Sequence, residues 1–332
     1  MPVVDTHAHI VPALFPELAP GIDTRGWPSL HELNDGRAQM TIDGKPFRVI
    51  DRASFDVGAR LEWMQREGIN VQVLSPLPEL LGHWLPVVTA VELAKLTNAT
   101  IATAVRAEPD RLAGLGMLPW QDVALASAMV ADIAALGLRG VEVGSNIEGR
   151  SIADPIFDSV FAQLARHGLA LFVHGSRPPA PERILGPGIM VNVVGVPQDC
   201  ASAIASFITS DVLGRHPRLK LGFAHAGGTF GSLLDRMDYV WREFPVLHET
   251  TNCSPRDYVR RFYFDNVTYS VPYLRYLADV FGIDTLMSGS DGPTRGSQQD
   301  LAGLALTVCR GDRGAAEKML WRNAARFLDL AL

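Results

Sequence analysis

Four histidines and one aspartate stand in this chain in a pattern that suits metal chemistry. They are His7 and His9 in DTHAHI, His174 in LFVH, His225 in GFAH and Asp291 in SGSDGP. His7 and His9 are two residues apart, and side chains at that spacing on a strand point to one face, so both imidazoles enter the same space. A third histidine and an aspartate from other strands complete a nitrogen-rich set with an oxygen cap. Neutral imidazoles and one carboxylate suit Zn, and also Fe, Mn or Co. Such a set leaves room for a bound water whose pKa the ion lowers to about 7. Taken singly, each residue has a plainer reading. An H-x-H pair arises by chance, and His174 suits a buried, hydrogen-bonded strand end. Asp291 lies in turn-forming text and suits an N-cap or turn. His225 suits a structural place ahead of Ala226-Gly227-Gly228. The metal reading rests on all of them falling at the ends of expected strands.

Those strands follow from the hydrophobic pattern. Short apolar, β-branched runs alternate with longer amphipathic stretches, as in repeated βα units around a parallel sheet. Strands are expected at Val3–His9, Val71–Ser75, Leu112–Met117, Gly140–Val143, Ala170–His174, Leu219–His225, Arg261–Asn266 and Thr285–Ser290. Helices are expected over Val57–Arg66, Ala90–Glu108, Ala124–Ala135, Ile156–Arg166, Cys200–Leu213, Phe230–Arg242, Pro272–Phe281 and Leu301–Cys309. Runs such as LALFVH are apolar on both faces, which fits burial between an inner core and outer helices. The order predicts an α/β fold, a (β/α)8 TIM barrel in a single domain over 1–332, with an open doubly wound sheet as the alternative. Barrel enzymes build their sites at the C-terminal ends of strands, where His7, His9, His174, His225 and Asp291 fall. The stretch Ile10–Ser54 is too long for an ordinary connection. It reads as a functional insertion over the barrel mouth, with a hairpin near Gln39–Val49. The tail Gly314–Leu332 reads as one or two closing helices, and there is no internal repeat.

Composition narrows the class further. With 332 residues, 47% hydrophobic and 20% charged, the chain has ample material for a large core. A net charge of -6 with scattered basic residues argues against a nucleic-acid partner. Cys200, Cys253 and Cys309 are far apart, which argues against a disulfide framework and fits a reducing cytosol. MPVVDTHAHI has no basic region followed by an apolar one, and no uninterrupted apolar run approaches the roughly 18 residues of a membrane span. A soluble, cytoplasmic protein is the expectation.

The texts FVHGS, GFAHAGGTFGSLLDR and MSGSDGP, with the order H-x-H, H, H, D, resemble the decarboxylase-type branch of the amidohydrolase superfamily. The resemblance runs from Val4 to about Phe327, strong at strand ends and weak in loops. It implies His7, His9, His174 and Asp291 as ligands of one divalent metal, Zn first and Mn second, with Asp291 also in the catalytic set. It implies His225 as the general acid or base, whose ordinary pKa suits the task. Arg48 in GKPFR and Arg236 in SLLDR match carboxylate-binding arginines, the second donated across a homodimer interface. Arginine's planar fork pairs a carboxylate in two bonds. A surface or structural ion pair is the plainer reading of each. Binuclear relatives bridge two metals through a carboxylated lysine ending strand four. Here strand four ends RGVEVGS, which favours a single metal and leaves Glu142 as a barrel-lining or buried, paired residue.

The sequence departs from that branch in three places. Gly175-Ser176 replaces a Pro-Trp pair, Gly292-Pro293 replaces Tyr-Pro, and ILGPGIMVNV lacks an expected aromatic residue. A reshaped pocket is expected. The resulting reading is a non-oxidative decarboxylase of an unsaturated or aromatic small-molecule carboxylic acid. A hydrolase or hydratase on the same scaffold is the alternative, and a non-catalytic metabolite-binding barrel a third. Trp84 in GHW reads as a pocket-lining residue or a core or lid aromatic. His83, His31 and His248 read as solvated, Trp63, Trp120 and Trp321 as packing, and Asp5 as a brace for the ligand strand.

Overall fold

The computed structural model describes residues 1–251, 253–294 and 296–331, so the end of the predicted tail, Leu332, lies outside the described residues. Seven parallel strands form one curled sheet in sequence order. They are β1 (Val4–Ile10), β2 (Val71–Pro76), β3 (Leu112–Gly116), β4 (Gly140–Gly144), β5 (Ala170–His174), β6 (Lys220–Phe223) and β7 (Phe262–Phe264). All seven are buried or nearly so, and their two-sided apolarity matches a sheet covered on both faces. Helices follow the strands where the amphipathic runs predict them, with local starts and stops legible in the sequence. The Asp56 side chain accepts from Ala59 N to open Val57–Arg66, and Asp122 accepts from Leu125 N to open Val123–Ala135. Gly168 ends Asp158–His167 in the left-handed conformation, φ +69°.

The fold is a (β/α)8 barrel whose eighth stave is irregular, which corrects the strand expected over Thr285–Ser290. Ile283–Thr285 is a helical turn, and the segment after it makes only single bridges, Phe264 with Leu286 and Ala8 with Gly292. It still closes the ring. Met287 N donates to Phe264 O (2.7 Å), Thr6 N to Ser288 O (2.9 Å) and Asp291 N to His7 O (2.8 Å). Competing bonds draw it out of a regular ladder: Ser288 N donates to Met319 O (2.8 Å) and Ser288 Oγ to Val4 O (2.7 Å). At Gly289 a Cβ would come within 2.9 Å of His7 Cβ, so the backbone presses directly on β1.

The segment between β1 and the first helix carries a three-stranded antiparallel sheet, Pro28–Glu32, Ala38–Ile42 and Lys45–Ile50. Its second hairpin turns on Asp43-Gly44, both at positive φ (+52° and +69°), the conformation that a two-residue loop requires and that Asp-Gly favours. Ala38, Met40 and Ile50 pack in one cluster with Leu77, Leu80 and Leu81 of the β2 loop. The run Val191–Thr209 has the length and mean hydropathy of a spanning helix, but Cys200, Ile204 and Phe207 are buried in the hydrophobic core.

Candidate active site at the barrel mouth

The alternation of β1 sends His7 and His9 to one face, and the neighbouring strands bring the other groups to them. One potential ligand atom from each of His7, His9, His174 and Asp291 lies within 4.8 Å of the others. His7 Nε2 and His9 Nε2 are 3.2 Å apart, and Asp291 Oδ1 is 3.1 Å from His9 Nε2 and 3.6 Å from His7 Nε2. Each imidazole is oriented from behind. His7 Nδ1 donates to Asp265 Oδ2 (2.5 Å), His9 Nδ1 to Pro76 O (3.0 Å) and His174 Nδ1 to Gly175 O (2.8 Å). Those acceptors put the ring proton on Nδ1 and leave Nε2 as a lone pair. Three lone pairs and a carboxylate oxygen facing one another in a buried space repel unless a cation lies between them. The donor set therefore fits a divalent metal.

The electrostatics agree. Burial alone would lower the His7 pKa, yet the Asp265 hydrogen bond and the charges of Asp291, Asp265 and Glu142 lift it to about 9. Burial raises the Asp291 carboxyl, but the bond to His9 and the charges of His7 and His225 outweigh it and hold the group well below the usual range. Without a cation the cluster thus holds a proton in its place, the behaviour of a metal site. Burial, then the neighbouring histidines, keep His174 far below its ordinary value.

His225 follows β6 in a left-handed turn, φ +53°, with Ala226 also at +52°. Its Nε2 lies 3.2 Å from His174 Nε2. Asp265, just beyond β7, holds that turn: Oδ2 accepts from His225 N (2.9 Å) and Oδ1 from Ala226 N (2.7 Å) and Val267 N (3.0 Å). One buried carboxylate thus orients His7 and fixes the backbone of His225. The sequence reading missed Asp265. Its signal was an acidic residue closing the seventh expected strand in FYFDN. Asp5 joins the same framework, accepting from Ser290 N (2.8 Å), Ser290 Oγ (2.6 Å) and Gln72 Nε2 (2.7 Å). Buried Arg60 completes it, donating to Gln72 Oε1 (2.8 Å) and His9 O (2.5 Å).

The other singled-out residues fall at different distances from this cluster. Glu142 is fully buried on β4, neither carboxyl oxygen has a hydrogen-bond partner among the described residues, and burial pushes its pKa up. Arg48 lies on the hairpin, 3.3 Å from Glu79 and half-exposed. Arg236 sits on the exposed face of the helix Leu234–Glu243, away from the cluster's own ligands. Trp84 lies under the Arg177 guanidinium, whose Cζ is 3.6 Å from the ring centroid. His83 corrects the solvated reading: it is 2% exposed, and its Nε2 accepts from Gly144 N (3.1 Å). His31 and His248 are exposed. At the two substituted glycine positions other groups occupy the space. A Cβ on Gly175 would meet Val196 O at 2.5 Å, and one on Gly292 would meet the Trp63 ring at 2.6 Å.

A family model described as Amidohydrolase matches residues 4–330. The chain is 32% identical over 334 residues to 2-amino-3-carboxymuconate-6-semialdehyde decarboxylase of Dictyostelium discoideum, covering 98% of this chain and 91% of that one. Its structure is similar to 5-carboxyvanillate decarboxylase of Sphingomonas paucimobilis, with TM-score 0.75 and 26% identity over 84% of this chain and 85% of that one. A dihydroxybenzoic acid decarboxylase of a Polaromonas species, solved with bound manganese and the inhibitor 2-nitroresorcinol, shares the fold at TM-score 0.71. There the identity is 20%, over 84% of this chain and 88% of that one.

Proposed function

The chain belongs to the amidohydrolase family, and on that premise we propose that it is a metal-dependent, non-oxidative decarboxylase of an unsaturated or aromatic carboxylic acid. The observation that carries the reading is the convergence of His7, His9, His174 and Asp291 in a buried space at the barrel mouth, with each imidazole Nδ1 turned to a carboxylate or carbonyl acceptor and its Nε2 left for an ion. His7, His9, His174 and Asp291 hold one divalent ion, zinc in the first instance and manganese in the second. A decarboxylase of the same fold solved with bound manganese supports a divalent ion and keeps manganese in view. The ion supplies Lewis acidity toward a substrate oxygen.

The protein's own groups do the rest. Arg48 and Arg236 hold substrate carboxylates through their planar forks. His225 delivers a proton to the carbon that bears the departing carboxylate. The bond from that carbon to the carboxylate breaks, carbon dioxide leaves, and the electron pair returns to the π system. Arg236 shares its helix face with exposed Leu233 and Tyr239, three residues to either side. That apolar surround supports a homodimer in which Arg236 reaches the neighbouring site. A single domain over 1–332 is part of the proposal, supported by one buried cluster that runs from Val3 to Leu320. Three free cysteines support a reducing, cytoplasmic location.

The test is metal analysis of the purified protein beside Asp291→Ala, followed by carbon dioxide release from a panel of aromatic and unsaturated carboxylates. About one metal per chain, lost in the variant, with release from at least one acid is expected. Hydrolysis or hydration of those acids with no carbon dioxide would refute the reaction, and a chain with no affinity for zinc or manganese would refute the site.

A further inference from the structure

The backbone singles out one aromatic residue at the rim of the barrel. Strands β6 and β7 and the eighth stave each lead to a non-glycine residue in the left-handed region: His225 (φ +53°), Tyr269 (φ +56°) and Asp291 (φ +58°). For a bulky side chain that conformation is strained, and such strain persists where the surroundings impose it, commonly at ligand sites. His225 and Asp291 belong to the site at the mouth. Tyr269 follows the strand that lies between their two staves.

Hydrogen bonds tie Tyr269 to the loop of Asp291. Its hydroxyl donates to Gly296 O (2.7 Å), Gly296 N donates to Thr294 Oγ1 (3.3 Å), and Thr294 Oγ1 donates to Asp291 O (3.1 Å). Four residues before Tyr269, Asp265 holds His7 and the His225 turn. Burial around the hydroxyl first, then the charges of Asp291 and Asp265, push its pKa up to about 12. The hydroxyl is therefore a neutral donor that lies within reach of both carboxylates.

Core packing does not account for the ring. Tyr269 is 63% exposed and belongs to none of the hydrophobic clusters formed by the described residues. An exposed aromatic side chain gains little by folding, yet this one is held at its backbone and at its hydroxyl. Holding it fixes the orientation of its face before a ligand arrives, which lowers the entropy cost of binding. A tyrosine face is flat and apolar, and it favours another π system stacked on it over a saturated ring.

We infer that Tyr269 is a specificity-determining residue, its ring a wall of the substrate site against which the flat π face of the acid lies. It recognises the conjugated body of the acid and not its carboxylate, and so selects unsaturated acids over saturated ones. The inference rests on the decarboxylase reading for its substrate class, but its test reads binding.

Benzoate and cyclohexanecarboxylate carry the same charge on a six-carbon ring and differ in flatness. Ligand-observed NMR titration of the zinc-loaded protein gives their affinity ratio in the wild type, Tyr269→Leu, Tyr269→Phe and Tyr269→Gly. Wild type should prefer benzoate, and Tyr269→Leu should lower that preference roughly three- to tenfold, the worth of one aromatic contact. Tyr269→Phe keeps the ring without the bond to Gly296 and should keep most of the preference. Tyr269→Gly removes the ring and the backbone strain together, so it should melt close to wild type and still lose the preference. A ratio that Tyr269→Leu and Tyr269→Gly leave unmoved overturns the inference. So does a loss in Tyr269→Phe equal to that in Tyr269→Leu, which would make the tether and not the ring the working part. A wild type that binds both acids equally, or neither, overturns it too. A shifted ratio with no carbon dioxide release from any acid would sink the decarboxylase reading alone. Release with an unmoved ratio would sink the role of Tyr269 alone.

Discussion

Replacing Asp265 by asparagine keeps the shape of the side chain and reverses one half of its hydrogen bonding. In the structure both oxygens accept: Oδ1 takes two backbone N–H groups, and Oδ2 takes His7 Nδ1 and His225 N. An asparagine that keeps its oxygen on the first pair turns its NH2 toward His7. Two donors then face each other, and relief comes when His7 moves its proton to Nε2, the atom aimed at the cluster. Loss of such a supporting partner typically weakens metal binding about 10- to 100-fold, or roughly 1.4 to 2.8 kcal/mol. The pH dependence separates this cause from simple unfolding. In the metal-free wild type His7 has a pKa of about 9. A metal arriving at lower pH must displace that proton, so affinity should rise about tenfold per pH unit until pH 9 and then level off. The Asp265→Asn variant loses the bond and the charge that raise the pKa, so its proton competition should end at a lower pH. Competitive chelator titrations with zinc from pH 6.5 to 9.5 read both quantities. The two curves should differ most at pH 9 and approach each other toward pH 7. Equal affinity at pH 9 with an unchanged slope would falsify the assignment of Asp265 as the residue that orients His7.

Three further outcomes follow from the same geometry. His225→Asn should keep metal affinity within a few-fold and lower carbon dioxide release by about 100-fold or more, as measured by single-turnover assays beside metal analysis. If Arg236 works across a dimer, Arg236→Ala subunits mixed with His225→Asn subunits should recover about a quarter of wild-type activity after exchange, because half the dimers then hold one complete site. Mixtures no more active than either parent would exclude action in trans. Gly228→Ala should destabilise the fold by a few kcal/mol in thermal melts, because a Cβ there meets Pro197 O at 2.1 Å and the residue has φ +62°. An unchanged melting temperature would show that the His225 turn tolerates another backbone.

Much of this protein was decided by short-range pattern. Alternation in DTHAHI sends two imidazoles one way, and the two-sided apolar runs ask for a covered parallel sheet, whatever the rest of the chain does. The helix over Val57–Arg66 is read to the residue because Asp56 caps it locally. Other features depended on partners distant in sequence. The eighth stave loses its ladder because Ser288 bonds to Met319 and Val4 and Gly289 presses on His7, contacts that no window of sequence contains. His83 looked solvated in a loop rich in turn signals, and only the approach of Gly144 buries it. Nothing in the local text around Asp265 set it apart. It became the organiser of the site because closing the barrel brought β1 and the end of β6 to its two oxygens. Periodicity and caps are local properties of a chain, legible residue by residue. Hydrogen bonds between residues more than two hundred positions apart, such as His7 to Asp265 and Ser290 to Asp5, exist only once the ring has closed, and they tie the shorter-range supports of this site together.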